Sequence, residues 1–290
     1  MKITAGLGSV DEYIRFVEAG ADEFVSGFVP YSLTEKYGTG MPRKYKKPVH
    51  LTFNSLYYIP QQYPEIVEII ENCMKLGFMS YIIADPALIV YLREKGIPCE
   101  IHMSGEMGEI NRRTVEVFQR LDLKRVIFHR KNSFEDMQSV ICSERTAGGR
   151  RAETEFEAFV LNEMCQFTGA FCNSLHCDEL GHLCRVPYWT EPVRDESEDE
   201  DATVPKYDDN GYLCGATGCG LCALYRLRDA GITHLKLVGR GNYTDFMEKD
   251  IRNLKTALEI LENTDTEAAF RTEMKKQIFP YGCSGNCYYL

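Results

Sequence analysis

The sequence has no apolar run approaching the roughly 20 residues that a membrane-spanning helix requires. Its opening, MKITAGLGSVDEY, has neither the basic stretch nor the apolar core of an export signal. A cytoplasmic location with no membrane partner is therefore expected. There is no excess of positive charge either: 33 Lys and Arg stand against 43 Asp and Glu, a net charge of -10, which argues against a broad phosphate-binding surface. Six of those negative charges form one run, Asp195, Glu196, Glu198, Asp199, Glu200 and Asp201, which reads as a solvated loop because packed like charges repel. The turn after the first strand, GLGSVD, lacks the third glycine of a dinucleotide-binding GxGxxG. HExxH and GxSxG are missing, which removes the common metalloprotease and serine-hydrolase signatures. No repeat of 20 to 50 residues is found. With 44% hydrophobic and 26% charged residues among 290, the composition is that of a globular chain and not a disordered one.

What is present is a regular alternation. Short strand-like runs fall at 2–5, 23–26, 49–53, 80–84, 98–102, 124–128, 155–160 and 234–238. Helical patterns lie between them at 9–19, 64–76, 86–95, 111–120, 133–140 and 221–230, and a last one at 243–261 follows the eighth strand. Helix starts are marked by Ser9 three before Glu12, Asp85 before Pro86, and Ser133 three before Asp136. Eight strands each followed by a helix, in a chain somewhat above the typical ~250 residues, predict an α/β protein with a TIM-like (β/α)8 barrel; an open doubly wound sheet is the alternative. The barrel is expected over 1–262, with a cysteine-rich insertion at 161–222 that holds an acidic loop at 191–209. A C-terminal extension at 263–290 carries CSGNC.

In such a barrel the loops after the strands build the site. The polar residues there are Asn54, Asp85, His102 with Ser104 and Glu106, His129 with Arg130, Cys165, and Arg240. Asp85 reads as a helix cap. His102 and His129 are candidate proton carriers or hydrogen-bonded fillers of the mouth. Two guanidiniums, Arg130 and Arg240, suit bidentate binding of a carboxylate or phosphate. Ion pairs to Glu106 or Glu155 are their structural alternative.

Cysteine is the unusual feature, with 12 in the chain. Without an export signal the thiols stay reduced, and metal binding is the leading use. Cys73, Cys99 and Cys142 read as plain packed thiols. The other nine are crowded after Val160: Cys165, Cys172, Cys177 and Cys184; then Cys214, Cys219 and Cys222 in CGATGCGLC; then Cys283 and Cys287 in CSGNC. Four converging thiolates hold either a structural zinc or an iron-sulfur cluster. Zinc ribbons prefer paired CxxC knuckles, and only Cys219 with Cys222 makes one, so loop spacings of seven, five and seven favour iron-sulfur. Cys214, Cys219 and Cys222 also follow the Cx4CxxC spacing of two-iron ferredoxins, with Cys283 or Cys287 as fourth ligand. A second iron-sulfur cluster is the alternative use of these thiols, and spare free thiols are another.

The chain resembles the collagenase-like peptidase family U-32 from residue 2 to about 260. The markers are AGADEFVSG (19–27), TFN (52–54), IIADPAL (82–88), IHMSGEMGEIN (101–111), RVIFHR (125–130), FEAFV (156–160) and AGITHLKLVGR (230–240). The resemblance implies a barrel that binds a four-iron 4Fe-4S cluster and takes part in oxygen-independent hydroxylation of ubiquinone precursors, transfer RNA or ribosomal RNA. It implies Cys165, Cys172, Cys184 and Cys219 as cluster ligands, with Cys222 a close competitor for the last place; Cys177, Cys214, Cys222, Cys283 and Cys287 stand as competing or second-site thiols. It also implies a carboxylate-bearing oxygen donor such as prephenate. This chain departs from the family at Leu161 and Asn162, where His-Gly is usual, and at Lys131, where Glu is usual. Its Ser104, Gly105 and Glu106 stand in place of the StQ triplet. These departures argue against carrying over RNA or quinone specificity, so RNA is not expected as a partner.

The functional expectation is a redox enzyme in which Arg130, Arg240 and Lys236 orient a small anionic or aromatic substrate. Asn54 and Ser104 would line its site, Glu106 would take part in the chemistry, and His102 or His129 would carry protons. A peptidase is the second reading. It lacks a mechanism, because a nucleophilic cysteine needs an imidazole and His176 beside Cys177 is the only local pairing. The third is a noncatalytic, cluster-bearing subunit paired with a paralogous protein.

Overall fold

In the computed structural model, the residues described are 1–27, 46–107, 110–147, 153–162, 206–239 and 243–289. Eight parallel strands close into a barrel: β1 (Lys2–Gly6), β2 (Glu23–Ser26), β3 (Val49–Phe53), β4 (Ser80–Ile83), β5 (Glu100–Met103), β6 (Leu123–Ile127), β7 (Glu155–Leu161) and β8 (His234–Leu237). The ring shuts where β8 pairs with β1, through Lys2 opposite His234 and Thr4 opposite Lys236. The predicted strands match to within two residues. β5 begins at Glu100 and not at Pro98, whose nitrogen has no hydrogen for the ladder.

Eight α-helices surround the strands: α1 (Asp11–Ala19), α2 (Tyr63–Lys75), α3 (Pro86–Glu94), α4 (Arg112–Phe118), α5 (Phe134–Ala147), α6 (Leu224–Ala230), α7 (Thr244–Glu262) and α8 (Glu267–Gln277), counted among the described residues. Asp85 caps α3 as expected, its carboxylate accepting from the Ala87 and Leu88 amides at 2.8 and 3.3 Å. Ser133 and Asp136 exchange side-chain to backbone bonds at 3.2 and 3.1 Å, a full capping box. At α1 only the acidic half forms: Glu12 accepts from the Gly8 and Ser9 amides, and the Ser9 side chain caps nothing. The eighth helix, α8, escaped the sequence reading because its apolar stripe is only Phe270 and Met274, one turn apart and both fully buried.

Strand alternation sorts the side chains. Ile3, Ala5, Tyr81, Ile83, Ile101, Met103, Val126, Phe128, Phe156 and Val160 face outward into the helix layer and form the main core. The inward positions are different. Val25, Ile82, Ile127 and Phe159, with Val238, make a small separate apolar band. The most deeply buried of the other inward residues are polar, namely Thr4, Glu23, His50, Ser80, His102, Arg125, Glu157 and His234, all below 6% exposed. Branched apolar residues usually fill these layers; here an ion network does.

Arg125 is its hub. It donates to Glu23, Glu155 and Glu157, each at 2.7 Å. Glu23 also lies 3.1 Å from His50 and 3.3 Å from His234, while Glu157 meets Lys236 at 3.2 Å. Burial by itself raises a carboxyl pKa. Here hydrogen bonds from His234 and His50 and the charge of Arg125 outweigh it and hold Glu23 far below the usual range. Glu157 is lowered against its burial by Lys236 and Arg125, and Glu155 by Arg125.

Candidate functional site

Just beyond β5, the chain turns on Ser104 and Gly105. The Ser104 hydroxyl accepts from the Glu106 amide at 3.2 Å, and the Ser104 amide donates to Ile83 at 3.0 Å, so this serine shapes the turn. A Cβ on Gly105 would sit 3.1 Å from the carbonyl oxygens of both Ile127 and Phe128. Only glycine lets the turn lie this close to β6, and that approach presents Glu106 to Arg130. The pair meets at 3.2 Å. The Arg130 guanidinium also lies 4.1 Å from the centre of the Phe159 ring, and the Lys236 ammonium lies 5.5 Å from the same ring. Phe159, read from sequence only as a strand residue, thus joins two of the predicted substrate-binding cations.

The other candidates are placed as follows. His129 is buried; its Nδ1 accepts from the Lys131 amide at 3.2 Å, so in the neutral ring Nε2 carries the proton. His102 lies inside the barrel, its ring centre 4.6 Å from that of His50. Burial, with Arg125 and His50 nearby, pushes its pKa well below the ordinary 6.5, which keeps it neutral. Asn54 is half-buried after β3, and its buried Oδ1 has no protein hydrogen-bond partner. Arg240, Cys165, Cys172, Cys177 and Cys184 lie outside the described residues, as does most of the expected insertion.

The loop before α6 is built against the end of β7. Leu161 and Cys219 form an antiparallel bridge, Gly220 donates to Val160 at 2.6 Å, and Asn162 donates to Gly218 at 3.0 Å. Asn162 has φ of 67°, the left-handed region that asparagine tolerates better than other residues with a side chain. Replacement of the usual glycine there therefore preserves the backbone turn. Its amide side chain donates to Asp250 at 2.8 Å, and Asp250, raised to about 6 by burial, also accepts from Tyr212 at 2.7 Å.

The five described late cysteines gather on this side. Cys214 and Cys219 are buried, Cys222 is half-buried, and Cys283 and Cys287 are exposed; none is in a disulfide. Burial pushes the Cys214 thiol up to about 12 and Cys219 well above 9.0. Cys219 and Cys287 are bridged side by side in parallel. Cys219, Cys222, Cys283 and Cys287 line one cavity of about 30 Å³. A larger groove of about 510 Å³, lined by Arg93, Pro98, Glu100 and Lys124, lies at the opposite end, where β5 and β6 begin. That end of a barrel serves stability.

A closed parallel barrel, with the polar candidates Asn54, Glu106 and Arg130 after its strands and a thiol-rich wall beside β7, defines the class: a (β/α)8 barrel protein. The chain belongs to peptidase family U32, whose model matches residues 8–288. It is similar to tRNA hydroxylation protein P of Escherichia coli (strain K12), 28% identical over 99 residues, which are 34% of this chain and 20% of that protein. Among solved structures, a U32 peptidase is 15% identical with a TM-score of 0.43, over 55% of this chain and 69% of that one. A KDPGal structure is 10% identical with a TM-score of 0.49, over 91% of this chain and 97% of that one. Among the described residues, no helix is long and apolar enough to cross a membrane.

Proposed function

We propose that this chain is a U32 redox enzyme that carries a four-iron cluster and serves oxygen-independent hydroxylation of a small anionic or aromatic substrate. The observation that carries the reading is the bonding of the Cys214 to Cys222 loop onto the end of β7. This brings buried thiols beside the point where the chain leaves toward Cys165 and Cys172. Cys165, Cys172 and Cys184 would hold the cluster with a fourth thiol from that loop, Cys219 by resemblance. The donor set fits, since thiolates are the ligands such clusters take. When bound, the cluster supplies one-electron transfer.

The chain's own residues would do the rest. Asn54 offers an unpartnered oxygen to a substrate hydroxyl or amine. Arg130 and Lys236, held over the buried Phe159 ring, would with Arg240 meet a substrate carboxylate. His129, with the proton on Nε2, is the mouth residue placed to give one up. The relative's name points to transfer RNA, but the net charge of -10 and the altered Ser104-Gly105-Glu106 turn favour a small molecule. The test is anaerobic purification with iron and sulfide quantification. About four of each per chain are expected, and both should be lost in Cys172→Ala. Protein that takes up no iron on anaerobic reconstitution would overturn the reading.

A further inference from the structure

We infer that Tyr289, on the tail after α8, is a positioning residue for the anion-binding cations: its hydroxyl holds the Phe159 carbonyl of β7, and with it the ring on which Arg130 lies. The inference rests on the reading of Arg130 as a substrate-binding cation and assigns the placement of that cation to the tail. The tail is laced to the loop before α6 by main-chain groups. The Cys219 amide donates to the Asn286 carbonyl and the Tyr288 amide to the Cys219 carbonyl, both at 2.8 Å. The Ser284 hydroxyl donates to Gly215 at 2.7 Å, and the Asn286 side-chain amide to Ala216 at 2.6 Å. These bonds deliver two tyrosines to the end of β7. The Tyr288 hydroxyl donates to the Asn162 carbonyl, and the Tyr289 hydroxyl to the Phe159 carbonyl at 2.8 Å. Gly220 makes room for the second of them, since a Cβ there would fall 3.1 Å from the Tyr289 ring.

The Phe159 carbonyl occupies a particular place in the sheet. β6 pairs with β7 as far as the Phe128 amide, which donates to the Glu157 carbonyl at 2.8 Å. Two residues further on, a continued parallel ladder would bring the Arg130 amide to the Phe159 carbonyl. The Tyr289 hydroxyl donates there, and Arg130 turns its side chain to Glu106 at 3.2 Å. The residue that Tyr289 holds is the one whose ring lies 4.1 Å from the Arg130 guanidinium and 5.5 Å from the Lys236 ammonium. Burial and the neighbouring Tyr288 push the Tyr289 hydroxyl pKa up while the Arg130 charge pulls it down, so cation and hydroxyl act on each other directly. Loss of the hydroxyl would leave a carbonyl at the strand end without its donor and let the Phe159 ring shift under Arg130. The main-chain lacing of the tail would stay, and the thiols of the loop before α6 keep their assignment to the cluster.

The test is Tyr289→Phe in the full chain, purified anaerobically, with Tyr288→Phe as its control. Carbon-detected NMR of labelled arginine Cζ, with Arg130 assigned through Arg130→Lys, should show a ring-shifted signal in wild type. That signal should move toward the ordinary arginine position in Tyr289→Phe and stay in place in Tyr288→Phe, with iron and sulfide equal in all three proteins. Calorimetric binding of the carboxylate probe prephenate should weaken about three- to tenfold in Tyr289→Phe, the worth of one hydrogen bond. In wild type, with no variant needed, the Tyr289 hydroxyl proton should exchange slowly enough to be observed. An Arg130 signal that stays in Tyr289→Phe, one that moves equally in Tyr288→Phe, or a fast-exchanging hydroxyl would overturn the positioning role alone. Wild type that binds no prephenate would overturn the anion-binding reading beneath it.

Discussion

Arg130 donates to the Glu106 carboxylate at 3.2 Å, and with 9% and 10% of the two side chains exposed the pair has left water together. A buried guanidinium that loses its carboxylate keeps its desolvation cost with less to offset it. Glu106→Ala should therefore destabilise the fold by about 3 kcal/mol or more, while Glu106→Gln, which still accepts a hydrogen bond, should lose less. Urea unfolding of the two variants checks the order; equal, small losses would mean that water replaces the carboxylate.

The Arg125 network makes stability depend on acid. Glu23, Glu155 and Glu157 all have folded pKa values below the ordinary 4.5. Their contribution is present above about pH 4.5, where the unfolded chain ionises, and is lost as pH falls through the folded values. Arg125→Met should weaken this dependence and, by taking their shared cation from three carboxylates, cost at least about 3–5 kcal/mol at neutral pH. Denaturant midpoints measured from pH 3 to 7 on both proteins decide it. A wild-type curve that is flat across this range would contradict the network.

His102 should not titrate in the physiological range. Its burial and its cationic neighbours favour the neutral ring. Nitrogen-detected NMR of labelled imidazole should show it neutral across the physiological range, and an imidazolium signal at the ordinary histidine midpoint would refute the assignment. A neutral His102 beside His50 is a fixed element of the interior, so proton transfer at the mouth would fall to His129.

Gly105→Ala tests the close turn. The added methyl would press on two carbonyl oxygens at 3.1 Å, which backbone relieves only by moving. A loss of about 1–3 kcal/mol is expected, with weakened Arg130 to Glu106 pairing. A variant as stable as wild type would show that the turn has slack.

Asn54→Ala should leave stability within about 0.5 kcal/mol, since its Oδ1 bonds nothing in the protein. If Asn54 is a substrate contact, the same variant should weaken binding of a carboxylate probe such as prephenate by about tenfold in calorimetry. Undiminished binding would remove it from the site.

The barrel could be read from the sequence because each element carries its own local signal. The residues 49–53 alternate at period two, and Asp85 with Pro86 or Ser133 with Asp136 announce helices within three residues. Helix α8 could not be read, since two buried residues in an otherwise polar stretch make no periodic stripe. Asn54, Ser104, Glu106 and Arg130 were legible as mouth residues from their places after strands. What they touch was not. Arg125, the most connected side chain in the interior, went unremarked inside RVIFHR, because a strand arginine reads as surface until the ring closes around it.

Periodicity, caps and the crowding of nine cysteines after Val160 are properties of neighbouring residues, so the sequence by itself determined the (β/α)8 order and the thiol-rich character of the late chain. Closure of β8 on β1 decided the rest. It brought Glu23, Arg125, Glu155, Glu157 and His234 into one dry space where only mutual pairing is affordable, and it folded the tail back so that Cys283 and Cys287 reached Cys219 and Cys222. Such contacts join segments far apart in the chain, and their partners are chosen by burial and geometry that no local window contains.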